Sequence, residues 1–299
     1  MGRILLAVTL GIVAAVPAVL TAGATGADAG GVCARRVVSL APHATQCLFS
    51  VGAGSMVVGV DDYSLEPAEA LDRPRLGSYI DPDLEGIVGL RPDLVVLAAT
   101  QAAVAEQLDM LGLRTRLVPD TRMEDVFATL AAIGEAVCRS TAAAAVATSL
   151  RNEIADAGRD AVGRLPLRAV LVVDRPAGDL RQFYVAGPGN FLDDVLRAAG
   201  AANVFGNAPH AFPQVSLEPI VSADPDLILE LVPGLDRKAA AARAETWRRI
   251  APGLRAVREG RVVALPERWL PVPGPTVARA VRRVAELVAD ARRAMEGDR

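Results

Sequence analysis

Histidine is almost missing: the 299 residues contain two, His43 and His210. A serine–histidine–aspartate triad would have to recruit one of them, and no nucleophile motif stands near either. The G-x-S-x-G elbow, the Walker phosphate loop and the H-E-x-x-H zinc helix are absent too. Gly52-Ala53-Gly54 follows a helical stretch rather than a strand, which excludes a dinucleotide fingerprint. The chain is therefore not expected to be an enzyme. Its three cysteines form no C-x-x-C pair, so neither zinc nor dithiol redox chemistry is supported. Lys238 is the sole lysine, and 32 basic against 35 acidic residues leave a net charge of −3. No positive field for nucleic acid results. Past the N-terminal segment no apolar run is long enough to cross a bilayer.

What is plentiful is apolar surface. At 52% hydrophobic and 22% charged residues, the chain has enough to offset the entropy of ordering. Residues 1–29 read as a signal peptide: Arg3, an apolar run broken by Pro17, then small residues ending in Ala27-Asp28-Ala29. Cleavage after Ala29 and export to the periplasm or the outer face of the membrane are expected; an uncleaved anchor is the alternative. Export changes the reading of the cysteines. Cys33 precedes the first strand and Cys138 ends a helix, so an oxidising compartment permits a Cys33–Cys138 disulfide. Cys47 sits in an amphipathic helical stretch as a small core residue.

The remainder alternates apolar strands with helices, which implies an α/β fold with mostly parallel sheets covered on both faces. Residues 140–164 contain no proline, are rich in alanine and stop before Pro166. Such a stretch predicts one helix of about 25 residues, roughly 38 Å long. The predicted organisation is thus an N-terminal α/β lobe (30–138), a backbone helix (139–165) and a C-terminal α/β lobe (166–299). An internal repeat supports two similar lobes facing each other across a cleft. LEGIVGLRPDLVV (84–96) and LEPIVSADPDLIL (217–229) share seven of thirteen positions, each behind a capping residue, Asp83 or Ser216.

Aromatic residues are only 4% of the chain, so their placement is informative. Tyr63, Tyr79, Tyr184, Phe212 and Trp269 all fall in predicted loops, distributed over both halves. In open α/β sheets, ligands bind beside loops at the carboxyl ends of strands, and flat side chains suit a bulky, partly apolar guest. Packing of proline-rich loops onto the core is the competing reading. Trp247, among helical residues, is assigned to the core. His43 enters a helix behind Pro42, where the helix dipole favours a neutral ring able to meet a ligand's metal. His210 lies two residues before Phe212; ordinary loop hydrogen bonding explains either histidine equally simply. Glu85 and Glu218 hold one register in the repeat. They either answer the helix dipole or present two matching acidic points to a protein partner.

The segments at 37–60 (VVSLAPHATQCLFSVGAGSMVVGV), 84–99 (LEGIVGLRPDLVVLAA), 212–230 (FPQVSLEPIVSADPDLILE) and 274–287 (GPTVARAVRRVAEL) together resemble the substrate-binding proteins of ABC importers for cobalamin and iron-siderophores. The likeness covers residues 36–294. It implies two α/β lobes joined by one long helix, a ligand held between them, no catalysis, no intrinsic cofactor and a monomeric chain. Similarity to the cobalamin branch implies an aromatic cradle at Tyr63, Tyr79, Tyr184 and Phe212, with Trp269 in the last loop. It also implies docking of Glu85 and Glu218 on permease arginines. Ala98 and Ala99 depart from that branch, as does the last loop, where Val272-Pro273 lacks its acidic-then-basic spacing and Glu267 with Arg268 is the candidate substitute. The ligand therefore stays open among cobalamin, another corrinoid, haem and a ferric siderophore. A secreted two-lobe enzyme and a sensory or adhesion module are the competing classes.

Overall fold

The computed structural model describes residues 32–297; the expected signal peptide lies outside them. The first half runs β1 (Val37–Ser39), α1 (Pro42–Ser50), β2 (Val57–Val60), α2 (Leu84–Gly89), β3 (Leu94–Ala98), α3 (Ala102–Met110), β4 (Thr115–Val118) and α4 (Asp125–Ala136). After α5 (Ser140–Ala157) come β5 (Leu167–Asp174), β6 (Phe183–Val185), α6 (Phe191–Ala198), β7 (Ala201–Asn203), β8 (Gln214–Val215), α7 (Leu217–Ala223) and β9 (Leu227–Leu231). The chain closes with α8 (Arg237–Ile250), α9 (Arg255–Arg258), β10 (Val262–Leu265) and α10 (Val277–Gly297).

Two sheets form. The first is parallel throughout, in the order β2-β1-β3-β4. In the second, β7, β5, β9 and β10 repeat that order in parallel, and an antiparallel pair, β6 and β8, is added beside β5. The strand cores Leu94–Ala98 and Leu227–Leu231 are buried on both faces, as expected of parallel strands sandwiched by helices.

The duplication extends to single hydrogen bonds. Arg36 donates from its Nη2 to the Leu90 carbonyl (2.7 Å), and Arg168 does the same to Ala223 (2.6 Å). Asp93 accepts from the Arg36 backbone N–H, and Asp226 from that of Arg168. The repeated helices even end alike: Arg91 (φ 49°) and Asp224 (φ 37°) both take the left-handed conformation before the Pro-Asp. Pro92 and Pro225 cannot continue a helix, so the chain must turn sharply into β3 and β9.

Three features depart from expectation. The backbone helix is shorter than residues 139–165: α5 ends at Ala157, followed by one 3₁₀ turn, Arg159–Ala161. Gly158 takes the C-cap and Gly163 turns left-handed (φ 78°), so a stretch with good helix propensity is stopped by its two glycines. Eighteen residues reach about 27 Å. Nor does α5 join the lobes alone. The apolar stripe of α10, from Val277 through Val281, Val284 and Val288 to Ala291, packs against α5 and α6. One continuous core contains Val37 and Val96 of the first sheet, Leu171 and Leu229 of the second, and Val284 between them. Finally, the short strands β6, β7 and β8 are too brief to show a period in the sequence.

The Cys33 and Cys138 sulfurs are bonded, which closes a loop 105 residues apart in sequence. Cys47 is a buried free thiol whose pKa burial pushes far up. Trp247 is fully buried, stacked on Phe183 at 5.3 Å, and its Nε1 donates to Glu230 Oε2 (3.1 Å). Glu230 also pairs with Arg175 and Arg243, each at 2.9 Å, pinning α8 to the outer face of β9.

Candidate ligand site at the lobe seam

Loops between the elements carry Tyr63, Tyr79, Phe212 and Trp269, and polar contacts fix them; Tyr184, expected in a loop, lies instead on the short strand β6. Beyond β2, a buried chain runs from Ser39 to Thr45 (2.8 Å), Thr45 to Ser64 (2.7 Å) and Ser64 to Asp61. Asp61 also accepts the Tyr63 backbone N–H at 3.0 Å, so the tyrosine is held at the loop tip, 42% exposed. Burial raises the Asp61 pKa to about 6, although Ser64, the Tyr63 N–H and Arg75 pull it down.

Tyr79 lies half-buried near the carboxyl end of β3. Gln101 places it: the Gln101 Oε1 accepts from the Ala98 N–H and its Nε2 donates to the Tyr79 carbonyl, both at 2.9 Å. Burial, and then the nearby Asp120 carboxylate, push the Tyr79 phenol up to about 12. Asp120 is itself raised, by burial and then by Asp125. At neutral pH the Tyr79 hydroxyl is therefore a neutral group that can donate a proton.

In the second lobe Tyr184 stands on β6, paired with Gln214 of β8. The loop before β8 closes onto Gly187, where a Cβ would come within 2.2 Å of the His210 carbonyl. No other residue fits there. Asn190 clamps the same loop, donating to the carbonyls of Gly187 (2.9 Å) and Ala211 (2.5 Å). Phe212 projects from it, 39% exposed, and His210 is exposed as well. Trp269 follows β10, part-buried, with the Arg279 guanidinium 4.2 Å above its ring.

The two lobes grip each other at three points. Arg279, which lies over Trp269, reaches Glu66 three residues past Tyr63 (3.4 Å). Thr276 donates to Gln46 Oε1 of α1 (3.1 Å). Gly274 packs so closely there that a Cβ would lie 2.5 Å from the same oxygen. Reciprocally, Asp194 in the first turn of α6 accepts from Arg122 Nε (2.8 Å), Arg122 Nη2 (2.6 Å) and the Met123 N–H (3.0 Å). Burial works to raise the Asp194 pKa, yet these bonds and Arg197 hold it below the usual carboxylate value. Each lobe thus inserts its first long helix against the loop that precedes the other lobe's last one.

His43 sits inside this seam. It is 3% exposed, its Nε2 has no hydrogen-bond partner, and its Cα would be 3.3 Å from a Cβ at Gly274. Burial lowers its pKa to about 4, partly opposed by Asp125. The ring is neutral and faces protein rather than open space. Gln101, Asp120, Arg122 and Asp194 were not read from the sequence as site residues, because each acts across more than fifteen residues and belongs to no motif. A depression of about 700 Å³ between α4 and α5, with Phe127 and Arg151 on its walls, contains none of the residues above. Among the described residues no cluster of histidine, cysteine and carboxylates could hold a metal ion, and no helix is long and apolar enough to cross a membrane.

The family model described as periplasmic binding protein matches residues 37–269. The chain belongs to the periplasmic binding protein family. A vitamin B12-binding protein of Vibrio cholerae is 26% identical to this binding protein over 254 residues, covering 84% of this chain and 88% of the relative. A cobalamin-binding protein of Halobacterium salinarum is 30% identical over 261 residues, covering 84% and 68%. The crystal structure of the periplasmic vitamin B12 binding protein of Vibrio cholerae superposes with a TM-score of 0.74 at 24% identity, over 87% of this chain and 98% of that one. A periplasmic heme-binding protein from Pseudomonas aeruginosa superposes with a TM-score of 0.72 at 26% identity, over 84% and 91%. The binding protein therefore has the two-lobe α/β fold, with parallel sheets and a connecting helix, and its family is one of solute capture for ABC permeases.

Proposed function

We propose that this binding protein captures a corrinoid, cobalamin first, between lobes spanning residues 30–138 and 166–299, and delivers it outside the cytoplasmic membrane to an ABC permease. The observation that carries the reading is the set of loop aromatics. Tyr63 and Trp269 belong to loops linked through Glu66 and Arg279, Tyr79 is held by Gln101 beyond β3, and Tyr184 and Phe212 come from the second lobe. Tyr63 and Phe212 leave large flat faces to water in a chain poor in aromatics. A broad, partly apolar macrocycle edged with polar groups matches such a surface. The relatives named for vitamin B12 and cobalamin support this choice of guest.

Haem is the second reading, supported by the heme-binding structural relative. The neutral Tyr79 hydroxyl can donate to the amide side groups of a corrin. His43 enters this reading from beneath the seam, as a neutral support for the α1 end of the site.

Calorimetry of residues 30–299 with cyanocobalamin, haemin and ferric siderophores tests the proposal. We expect one-to-one binding of cyanocobalamin, weakened about tenfold or more by Tyr63→Ala and by Tyr79→Ala. Heat with haemin and none with cyanocobalamin would replace the corrinoid by haem.

For delivery, the reading assigns Glu85 and Glu218 to the permease. Both are exposed, and neither has a hydrogen-bond or ion-pair partner among the described residues. Two unpaired carboxylates at one register, one per lobe, suit a partner that presents matching cations.

A further inference from the structure

The duplicated helices carry a second exposed pair beside the glutamates. Of the seven identities between 84–96 and 217–229, five serve the fold. Leu84 and Leu217, Ile87 and Ile220, and Leu94 and Leu227 pack into the lobe cores. Pro92 and Pro225 are buried, and Asp93 and Asp226 accept backbone N–H groups of β-strand entries. Two identities neither pack into a core nor make a side-chain hydrogen bond or ion pair among the described residues: Glu85 with Glu218, and Val88 with Val221. The valines are 42% and 49% exposed. Each follows its glutamate by three residues, so carboxylate and valine share one helix face. The other positions of these helices have diverged, to Gly86 and Pro219, Gly89 and Ser222. A single exposed valine needs no explanation; the same valine twice, beside the same unpaired carboxylate, does.

We infer that Val88 and Val221 seat in apolar sockets on the permease, next to the cations that meet Glu85 and Glu218, so that the docking unit is a carboxylate–valine pair present once on each lobe. This rests on the docking reading above. The partner is protein rather than lipid, because two unpaired carboxylates would be repelled by an anionic membrane surface. The division of labour follows from the chemistry. The carboxylates steer and register the complex and are weakened by salt, whereas the valines lose water on contact and are not.

The test is equilibrium binding of the full binding protein to its cognate ABC permease in lipid nanodiscs, at low and high salt, with empty phosphatidylglycerol nanodiscs alongside. Val88→Ser with Val221→Ser should weaken permease binding about tenfold at either salt. Glu85→Gln with Glu218→Gln should weaken it most at low salt and abolish its salt dependence. Neither change should alter the melting temperature or the affinity for cyanocobalamin. Wild-type permease affinity in the valine variant, with the glutamine variant impaired, would overturn the inference and leave the docking reading standing. Wild-type affinity in both would overturn the docking reading too. Binding to empty nanodiscs that is lost with the valines would assign them to lipid and overturn the inference.

Discussion

Replacing Cys33 and Cys138 with serine should lower the stability of the folded chain by about 3–5 kcal/mol. The bond joins residues 105 apart, enclosing the first sheet with α1 to α4. A cross-link over so long a loop removes much of the freedom of the unfolded chain, and in the chain-entropy model a loop of about 100 residues is worth roughly 4.7 kcal/mol. Its native surroundings do not oppose the bond. Ala34 donates its N–H to the Ala136 carbonyl (2.9 Å), so the strand entry and the end of α4 are already neighbours. Urea unfolding of wild type and variant, each with and without reductant, measures the difference. Reductant should move the wild-type midpoint to that of the variant; coincident midpoints in all four curves would refute the prediction.

How far the sequence announces this structure depends on the range of each interaction. The parallel strands Leu94–Ala98 and Leu227–Leu231 are legible because burial on both faces demands unbroken apolar runs. The repeated helices are legible because the duplication is written in residues that pack or cap. Such signals lie within a dozen neighbours. The antiparallel pair of β6 and β8 is not legible: its strands of three and two residues are held by Asn190 and Gly187 reaching a loop more than twenty residues away. The seam is illegible for the same reason. Arg122 and Asp194 are 72 positions apart, Thr276 and Gln46 230 apart. Helix propensity predicts one connector, yet α10 and a core common to both lobes also join them, which no local pattern reports. Among the site residues, the aromatics stand out by rarity. His43 stands out by type alone, and its burial beneath Gly274 is a property of the assembled lobes.

That buried imidazole sets up the last expected result, a pair of opposite pH effects. The unfolded chain protonates His43 near pH 6.5, whereas in the fold the ring resists until about 4. Between those values the unfolded state binds more protons, so this contribution to stability is complete above 6.5 and is lost as pH falls. Asp61 acts in reverse. In the fold it keeps its proton up to about 6, while the unfolded chain releases it near 3.8, so its contribution is complete at low pH and is lost as pH rises through about 6. From pH 4 to 6 the two slopes oppose each other, and each pKa shift corresponds to about 3 kcal/mol. His43→Leu puts at the second position of α1 the residue type that α6 carries there, Leu192, and removes a buried nitrogen that has no partner. This variant should match or exceed wild type at pH 7 and gain on it steadily down to pH 4.5. Asp61→Asn removes the opposing slope, so the variant should fall behind wild type over the same range. Urea midpoints at pH 7, 6, 5 and 4.5 give both differences. Curves for the two variants that run parallel to wild type would show that neither group titrates as its burial dictates.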